Sequence, residues 1–366
     1  MSLEDDRPAG GRAGDRPETI LGNGWPVLPG SRAFMQLCDE RKRMRAIEVP
    51  TYGESDTLEV VDSEKPDPEP GEVRIEIEAA GINFADIMQR RGAYPGGPDA
   101  PYTPGMEAAG TVDETGKGVD LEEGDRVVAM LNTGGYAEYA TANAQMLFPI
   151  PDGMSFEEAA GFPVQFLTAH ACLFEWGGLA EGESVLIQAA AGGVGTAAVQ
   201  LAAQAGAEVF GTASTQEKLD LAAELGCDHP IQYTEVDFRE PIAEETDGEG
   251  VDLVLESVGD DVFDRSLDAL AHFGRLVTYG VASGVPAEAE NRRLLFENKS
   301  VSGFHLGQAS VHDPSKIMKA VPELTEGLTS GDLEVIVGES FALEDAAEAH
   351  QYIEDRKSSG KVVLKP

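Results

Sequence analysis

"ESVLIQAAAGGVGTAAVQLAAQAGA", residues 183–207, decides the fold. A short apolar run comes first, a glycine-rich turn follows, and an alanine-rich helical segment ends the stretch. A strand, a glycine turn and a helix in this order are typical of a dinucleotide-binding loop, although alanine replaces the first glycine. We predict that the cofactor-binding turn consists of Ala191, Gly192, Gly193, Val194 and Gly195. The alternative is a tight turn that holds no ligand.

Two of these glycines have specific predicted roles. Gly192 would let a pyrophosphate approach the helix N-terminus, and Gly195 would let the helix pack closely on the strand. Residues 185–207 carry no charge over 23 positions, which is long enough to raise a membrane span. Three glutamines and the glycine turn favour strand, turn and helix instead, so no membrane insertion is expected.

The end of the next strand, "EVFGTA", indicates which dinucleotide is bound. An acidic residue at this place would hold the ribose 2′-hydroxyl of NAD, but Ala213 stands there and no carboxylate comes before Glu217. Ser214, Thr215 and Lys218 instead offer hydroxyls and a cation for a 2′-phosphate, which predicts NADPH. Ser214 as a mere helix cap and Lys218 as a solvated side chain remain the alternative.

Beyond this stretch, the chain shows two different patterns of predicted secondary structure. From about residue 182, apolar strands alternate with helices, which predicts a parallel sheet covered on both faces. From 44 to about 165, short strands separated by Gly, Asp and Pro loops predict a small β-barrel or sandwich. "GEVRIEIEAA" alternates apolar and charged residues as a half-buried strand does. The last residues are typical of a helix and a strand that returns to the first domain.

Composition limits the classes of function. The 366 residues suggest about two domains, and the net charge of −39 is dispersed along the body. Nucleic acid is an unfavourable partner because the body has no clustered Lys or Arg. The charge leads to the hypothesis of a cytoplasmic protein from a salt-loving organism, which full stability in millimolar salt would refute. Three distant cysteines, Cys38, Cys172 and Cys227, fit a reducing cytosol.

The segment 1–43 differs from the rest of the chain. It is Gly/Pro-rich, has a net charge of zero and shows no sustained periodicity, so we expect a disordered, dispensable extension. The first credible strand begins at Met44 with "MRAIEV".

Several motifs together resemble the medium-chain dehydrogenase/reductase superfamily: "LTAH", "AAAGGVG", "GTASTQEK", "GRLVTYG" and the terminal "GKVVL". "GINFADIM" and "PGMEAAG" are similar to its zeta-crystallin-like NADPH:quinone oxidoreductases, and "NFADIMQRRGAYP" to the vesicle amine transport protein-like branch. The resemblance covers about residues 44–366. It implies an α/β fold with a GroES-like β-barrel catalytic domain over 44–168 and 308–366. A Rossmann domain, a doubly wound parallel sheet, would occupy 169–307.

The resemblance also bears on metal chemistry. Zinc-dependent members of the superfamily would have a cysteine about where Asn83 stands and a histidine where Met106 stands. Neither residue supplies the thiolate or imidazole that a catalytic zinc requires, so no metal is expected. Hydride transfer to a quinone or an α,β-unsaturated carbonyl needs no Lewis acid, because the conjugated system delocalises the charge.

By resemblance, Asn83 and Tyr94 would line the cleft near the nicotinamide and the substrate as catalytic residues. The resemblance further implies that Thr168 lies against the nicotinamide ring and Tyr233 near the adenosine ribose-phosphate. Four residues would flank the nicotinamide side: Ser257, Gly259, Gly280 and Val281. Tyr94 has a packing role as its alternative, and Asp86 is interpreted as a helix cap or a solvated carboxylate. The expected assembly is a homodimer through the edge of the Rossmann sheet. An enoyl-thioester reductase and a non-catalytic NADPH-binding protein remain alternative functions.

Overall fold

The computed structural model describes residues 43–366. The extension predicted over 1–43 therefore lies outside the described residues, apart from Arg43, which begins the first strand. The strands are β1 (Arg43–Glu48), β2 (Glu59–Glu64), β3 (Glu72–Ile82), β4 (Glu107–Thr115), β5 (Arg126–Met130), β6 (Tyr139–Asn143), β7 (Leu147–Pro149), β8 (Ser184–Ile187), β9 (Glu208–Ala213), β10 (His229–Gln232), β11 (Val251–Glu256), β12 (Leu270–Thr278), β13 (Ser300–Gly303), β14 (Val337–Ala342) and β15 (Lys361–Lys365).

Helices connect and flank these strands. The α-helices are α1 (Phe84–Arg90), α2 (Phe156–Ala160), α3 (Pro163–His170), α4 (Gly193–Gln204), α5 (Gln216–Glu224), α6 (Arg239–Glu245), α7 (Asp260–Asp268), α8 (Asn291–Glu297), α9 (Leu306–His312), α10 (Ser315–Met318), α11 (Val321–Ser330) and α12 (Ala346–Glu354). A π-helical turn, Ala171–Trp176, continues α3. None of the helices in the described part of the chain is long and apolar enough to cross a membrane.

The predicted parallel sheet is present. Six strands lie in the order β10-β9-β8-β11-β12-β13, and every neighbouring pair is parallel. The central strand β8 is buried at all four positions, as an apolar strand covered on both faces should be. The uncharged stretch 185–207 is strand, turn and helix, as the glutamines and the glycine turn indicated.

A mainly antiparallel sheet of seven strands contains most of the short strands predicted from 44 to about 165. Its order is β14-β15-β3-β4-β5-β7, with β6 pairing on β3. The alternation predicted for "GEVRIEIEAA" is confirmed, because Val73, Ile75 and Ile77 are buried while Glu76 and Glu78 are exposed. The final strand β15 pairs antiparallel with β3, so the chain returns to its first sheet as expected.

One apolar core joins the two sheets. Ala79 and Val128 of the antiparallel sheet belong to the same buried cluster as Val185 and Ile187 of the parallel sheet. Phe166 of α3 belongs to this cluster as well. Residues Met44–Pro366 accordingly form one compact unit. The domain boundaries predicted near 168 and 308 stay a prediction.

Candidate active site

The glycine-rich turn lies at the carboxyl end of β8. Helix α4 begins at Gly193 and has Gly192 as its N-cap, in an extended conformation with φ −82°. A Cβ atom at Gly195 would lie 2.2 Å from the carbonyl oxygen of Ala189, which leaves no room for a side chain. A Cβ at Gly192 would meet only that same oxygen, at 3.2 Å. Gly195 therefore packs against the backbone of the turn after β8, whereas Gly192 faces open space.

The side chain of Gln165 lies against this turn. Gln165 is 1% exposed, and neither its Oε1 nor its Nε2 has a hydrogen-bond partner within the described chain. Its Oε1 would lie 2.8 Å from a Cβ at Gly193, so the amide faces the start of α4. Buried amides are almost always hydrogen-bonded, so a polar group bound at this helix N-terminus would fit the side chain of Gln165. The sequence alone does not identify Gln165, because nothing in "PVQFLTAH" predicts which face of α3 meets the turn.

Strand β15 closes the turn from the side of the antiparallel sheet. The backbone N–H of Gly360 donates to the carbonyl oxygen of Ala191 at 2.8 Å, and Gly360 bridges with Gly192. Thr168, on the same helix as Gln165, is 6% exposed, and its predicted contact with the nicotinamide stays a prediction.

Ser214 and Lys218, predicted for the 2′-phosphate, follow β9, and Tyr233 follows the neighbouring strand β10. Tyr233 donates its backbone N–H to the oxygen of Ala213, and Thr234 donates its hydroxyl to the oxygen of Ser214. Lys218 donates from Nζ to the carbonyl oxygen of Arg356 at 2.7 Å, and burial lowers the pKa of its ammonium. The residue that caps α5 is Thr215, whose hydroxyl accepts from the N–H of Lys218, and the alternative role of Ser214 as that cap is wrong.

The two predicted loops on the other side of the turn pack on each other. Ala282 donates its N–H to the oxygen of Ser257 at 2.8 Å, and a Cβ at Gly280 would lie 2.9 Å from that oxygen. A Cβ at Gly259 would lie 2.6 Å from the oxygen of Val285 and 3.2 Å from Cγ1 of Val281. All four predicted residues thus meet at the carboxyl ends of β11 and β12.

The carboxylate of Glu256 organises the first of these loops. It accepts from the N–H groups of Val258 at 2.6 Å and Gly259 at 2.8 Å, and burial raises its pKa. The sequence does not single it out, since a glutamate at a strand end is most often a solvated residue.

Asn83 lies in a polar cluster with Glu107 and Lys361. Lys361 Nζ donates to Asn83 Oδ1 at 2.7 Å and forms a direct ion pair with Glu107, while Asn83 Nδ2 donates to Glu107 Oε1 at 2.9 Å. The other carboxylate oxygen of Glu107 accepts from the N–H of Val164 at the start of α3. Both polar atoms of the Asn83 side chain are therefore engaged with protein, and its predicted contact with nicotinamide and acceptor stays a prediction.

Of the two interpretations of Asp86, the helix cap is right and the solvated carboxylate is wrong. Its Oδ2 accepts from the backbone N–H of Asn83 at 2.8 Å, which confirms the capping role. The carboxyl is not solvated, however, because Asp86 is 0% exposed and Tyr136 donates to it at 3.3 Å. Burial raises the pKa of Asp86 to about 7. His350 completes the cluster, 3.0 Å from the hydroxyl of Tyr136.

Tyr94 reaches across to the other sheet. Its hydroxyl lies 2.7 Å from Nε2 of His305, which follows the carboxyl end of β13. Burial raises the pKa of Tyr94, so its phenol is a hydrogen-bond donor at neutral pH. The alternative of simple rim packing does not account for this polar contact.

The fold and the site together define the class of protein. A parallel sheet with a glycine turn at the carboxyl end of β8, joined to an antiparallel sheet that carries polar residues toward it, is the arrangement of a two-domain dehydrogenase or reductase. Two family models match the chain, the alcohol dehydrogenase GroES-like domain over residues 69–152 and the zinc-binding dehydrogenase over 193–325.

Individual proteins match over most of the chain. The quinone oxidoreductase-like protein 2 homolog of Nematostella vectensis is 38% identical over 80% of this chain and 81% of its own length. The human synaptic vesicle membrane protein VAT-1 homolog is 36% identical over 82% of this chain and 80% of its own length. The Escherichia coli quinone oxidoreductase, solved in complex with NADPH, superposes with a TM-score of 0.83 at 34% identity, covering 88% of this chain and all of that one.

The chain belongs to the quinone oxidoreductase-like and VAT-1 group of the medium-chain dehydrogenase/reductase superfamily, and it is an oxidoreductase. The resemblance shown by its motifs is thereby confirmed. One family model is described as zinc-binding. No group of three or more His, Cys, Asp or Glu residues placed to hold a metal occurs within residues 43–366. Asn83 and Met106 are not zinc ligands.

Proposed function

We propose that this protein transfers a hydride from NADPH to a quinone or an α,β-unsaturated carbonyl compound, without a metal. The observation that carries the proposal is the glycine turn with the unpartnered Gln165 amide against it. A bound pyrophosphate at the N-terminus of α4 would accept from the first backbone N–H groups of that helix. The NADPH complex of the E. coli quinone oxidoreductase supports the choice of cofactor.

The chain's own residues would then orient the two reactants. NADPH would supply the hydride. Ser257, Gly259, Gly280 and Val281 form the rim against which a nicotinamide would lie, and Tyr94 offers a hydroxyl to the oxygen of the acceptor. A conjugated acceptor spreads the incoming charge onto its oxygen, so orientation and one well-placed donor supply the catalysis.

Oxidation of NADPH in molar KCl, followed at 340 nm with a panel of quinones, enones and enoyl-thioesters, tests the proposal. We expect turnover with quinones or simple enones. Turnover with enoyl-thioesters alone would point to a thioester reductase. NADPH binding without turnover of any acceptor would contradict the enzyme assignment.

Lys218 provides the test of cofactor preference. We expect Lys218→Ala to lower the ratio of kcat/KM for NADPH to that for NADH by about tenfold or more, because one charge-assisted contact with the 2′-phosphate is worth about 1.5–3 kcal/mol. Lys357→Ala is the matched control, since Lys357 is the next residue after Arg356 and its side chain is 61% exposed. An unchanged ratio in the Lys218 variant would remove this assignment.

We also propose a homodimer built on the edge of the parallel sheet. Strand β13 ends that sheet, and its neighbour β12 and the preceding helix α8 carry three large apolar side chains that are mostly exposed: Phe273, Leu295 and Phe296. Large apolar residues clustered at an unpaired edge commonly mark an interface. Sedimentation equilibrium should give about twice the 38.8 kDa chain mass, and a monomer at micromolar concentration would contradict the dimer.

A cytoplasmic location is proposed as well, since the free buried thiols of Cys172 and Cys227 fit a reducing compartment.

A further inference from the structure

His305 occupies a defined place between two elements. It is the N-cap of α9, and its Nδ1 accepts from the backbone N–H of Gln308 at 3.1 Å. Its Nε2 lies 2.7 Å from the hydroxyl of Tyr94, which comes from the loop after α1 in the antiparallel sheet's half of the chain. The ring therefore connects the carboxyl end of β13 with that loop.

These contacts define the direction of the hydrogen bond. A neutral imidazole has one N–H, and a nitrogen that accepts from a backbone amide cannot carry it. With Nδ1 as an acceptor, the hydrogen is on Nε2 and is donated to the oxygen of Tyr94. The hydroxyl hydrogen of Tyr94 is then directed away from His305 and remains available for another acceptor.

The order of the strands places this pair on one side of the sheet. The residues predicted for the adenosine end lie at β9, on one side of the glycine turn at β8. A dinucleotide lies across the carboxyl ends of the strands, so its nicotinamide half extends from β8 toward β11, β12 and β13. His305 follows β13, and Tyr94 is thus held on the side where the hydride acceptor must lie.

We propose that His305 is a positioning residue for reduction of the conjugated acceptor, whose Nε2–H holds Tyr94 so that the tyrosine hydroxyl donates to the oxygen of the acceptor. The inference rests on the proposed function and names a residue that it did not include. Hydride adds to a carbon of the conjugated acceptor and forms a C–H bond, while an electron pair moves to the oxygen. Tyr94 stabilises that oxyanion by hydrogen bonding, and a solvent proton completes the product.

The chain allows the two contacts of His305 to be separated. In His305→Asn, the shorter side chain can still accept from the N–H of Gln308, because asparagine is a good N-cap, but it cannot reach Tyr94. His305→Leu removes both contacts. His312→Asn is the matched control, since His312 is an exposed histidine at the other end of the same helix.

We expect His305→Asn and Tyr94→Phe each to lower kcat about tenfold with the KM for NADPH unchanged. In Tyr94→Phe the oxyanion loses its hydrogen-bond donor, and in His305→Asn that donor is no longer held in place. The double variant Tyr94→Phe/His305→Asn should be no slower than Tyr94→Phe alone, because His305 acts through Tyr94. The control should match the wild type. Wild-type kcat in His305→Asn, or multiplicative losses in the double variant, would overturn the proposal.

A second readout does not depend on turnover. Selective ¹⁵N-histidine labelling resolves the ring nitrogens, and His305→Asn identifies the His305 signals. We expect an Nε2–H tautomer whose Nε2 signal shifts in Tyr94→Phe, while the other histidines stay unchanged. A wild type inactive with every acceptor would refute the proposed function. An Nδ1–H tautomer, or an Nε2 signal insensitive to Tyr94→Phe, would refute the His305 pair independently of activity.

Discussion

Replacing Lys361 by methionine is expected to lower the free energy of unfolding by about 3–5 kcal/mol, because it leaves a buried carboxylate without its counter-charge. The side chains of Lys361 and Glu107 are 3% and 0% exposed, and the lysine also donates to Asn83. Without the ammonium, Glu107 would keep the N–H of Val164 and the amide of Asn83, which do not neutralise a charge. Urea unfolding followed by circular dichroism in molar KCl measures the loss.

Lys365→Met is the matched control for this loss. Lys365 lies on the same strand β15 and also pairs with a glutamate, Glu157, but its side chain is 51% exposed. Exposed pairs contribute about 0–1 kcal/mol, so the control should be nearly neutral. If Lys361→Met and Lys365→Met unfold at the same urea concentration, the buried pair does not stabilise the fold. A Glu107→Leu/Lys361→Met double variant should recover part of the loss, since no uncompensated charge remains.

This cluster also illustrates where prediction from sequence stops. Asn83 is identified in the sequence through the motif "GINFADIM", and Glu107 lies in the second motif, "PGMEAAG". Their partner Lys361 is 278 positions from Asn83, and only the return of β15 to β3 brings the two together. A contact made by strand pairing at that separation cannot be predicted from the local sequence around either residue.

The glycine turn is predictable for the opposite reason. All of its elements are consecutive, and their periodicity is enough to identify β8 and α4 from the amino-acid sequence. Asp86 falls between these cases. Its spacing from Asn83 indicates the capping box, but its burial depends on Tyr136 and His350, which come from distant segments. Local geometry is therefore predicted well, whereas the burial of a polar group is predicted only where its neighbours are local.

The second large effect concerns Gly195. We expect Gly195→Ala to destabilise the fold by about 3 kcal/mol or more and to abolish NADPH binding, because the new Cβ would lie 2.2 Å from the oxygen of Ala189 and 2.7 Å from the carbonyl carbon of Ala190. Both are backbone atoms of the turn that follows β8, so the clash can be relieved only if this turn or α4 is displaced. The helix N-terminus would then move away from the place where a pyrophosphate binds.

Gly192→Ala separates the packing role of the turn from its binding role. Its φ of −82° suits alanine, and the new Cβ would meet only the oxygen of Ala189, at 3.2 Å. We therefore expect a loss of less than about 1 kcal/mol in stability, with a Kd for NADPH raised about tenfold because the methyl group occupies the approach of the pyrophosphate. Urea unfolding and NADPH fluorescence titration measure the two quantities. Equal stability losses in the two variants would contradict the assigned packing role of Gly195, and unchanged NADPH affinity in Gly192→Ala would place the pyrophosphate elsewhere.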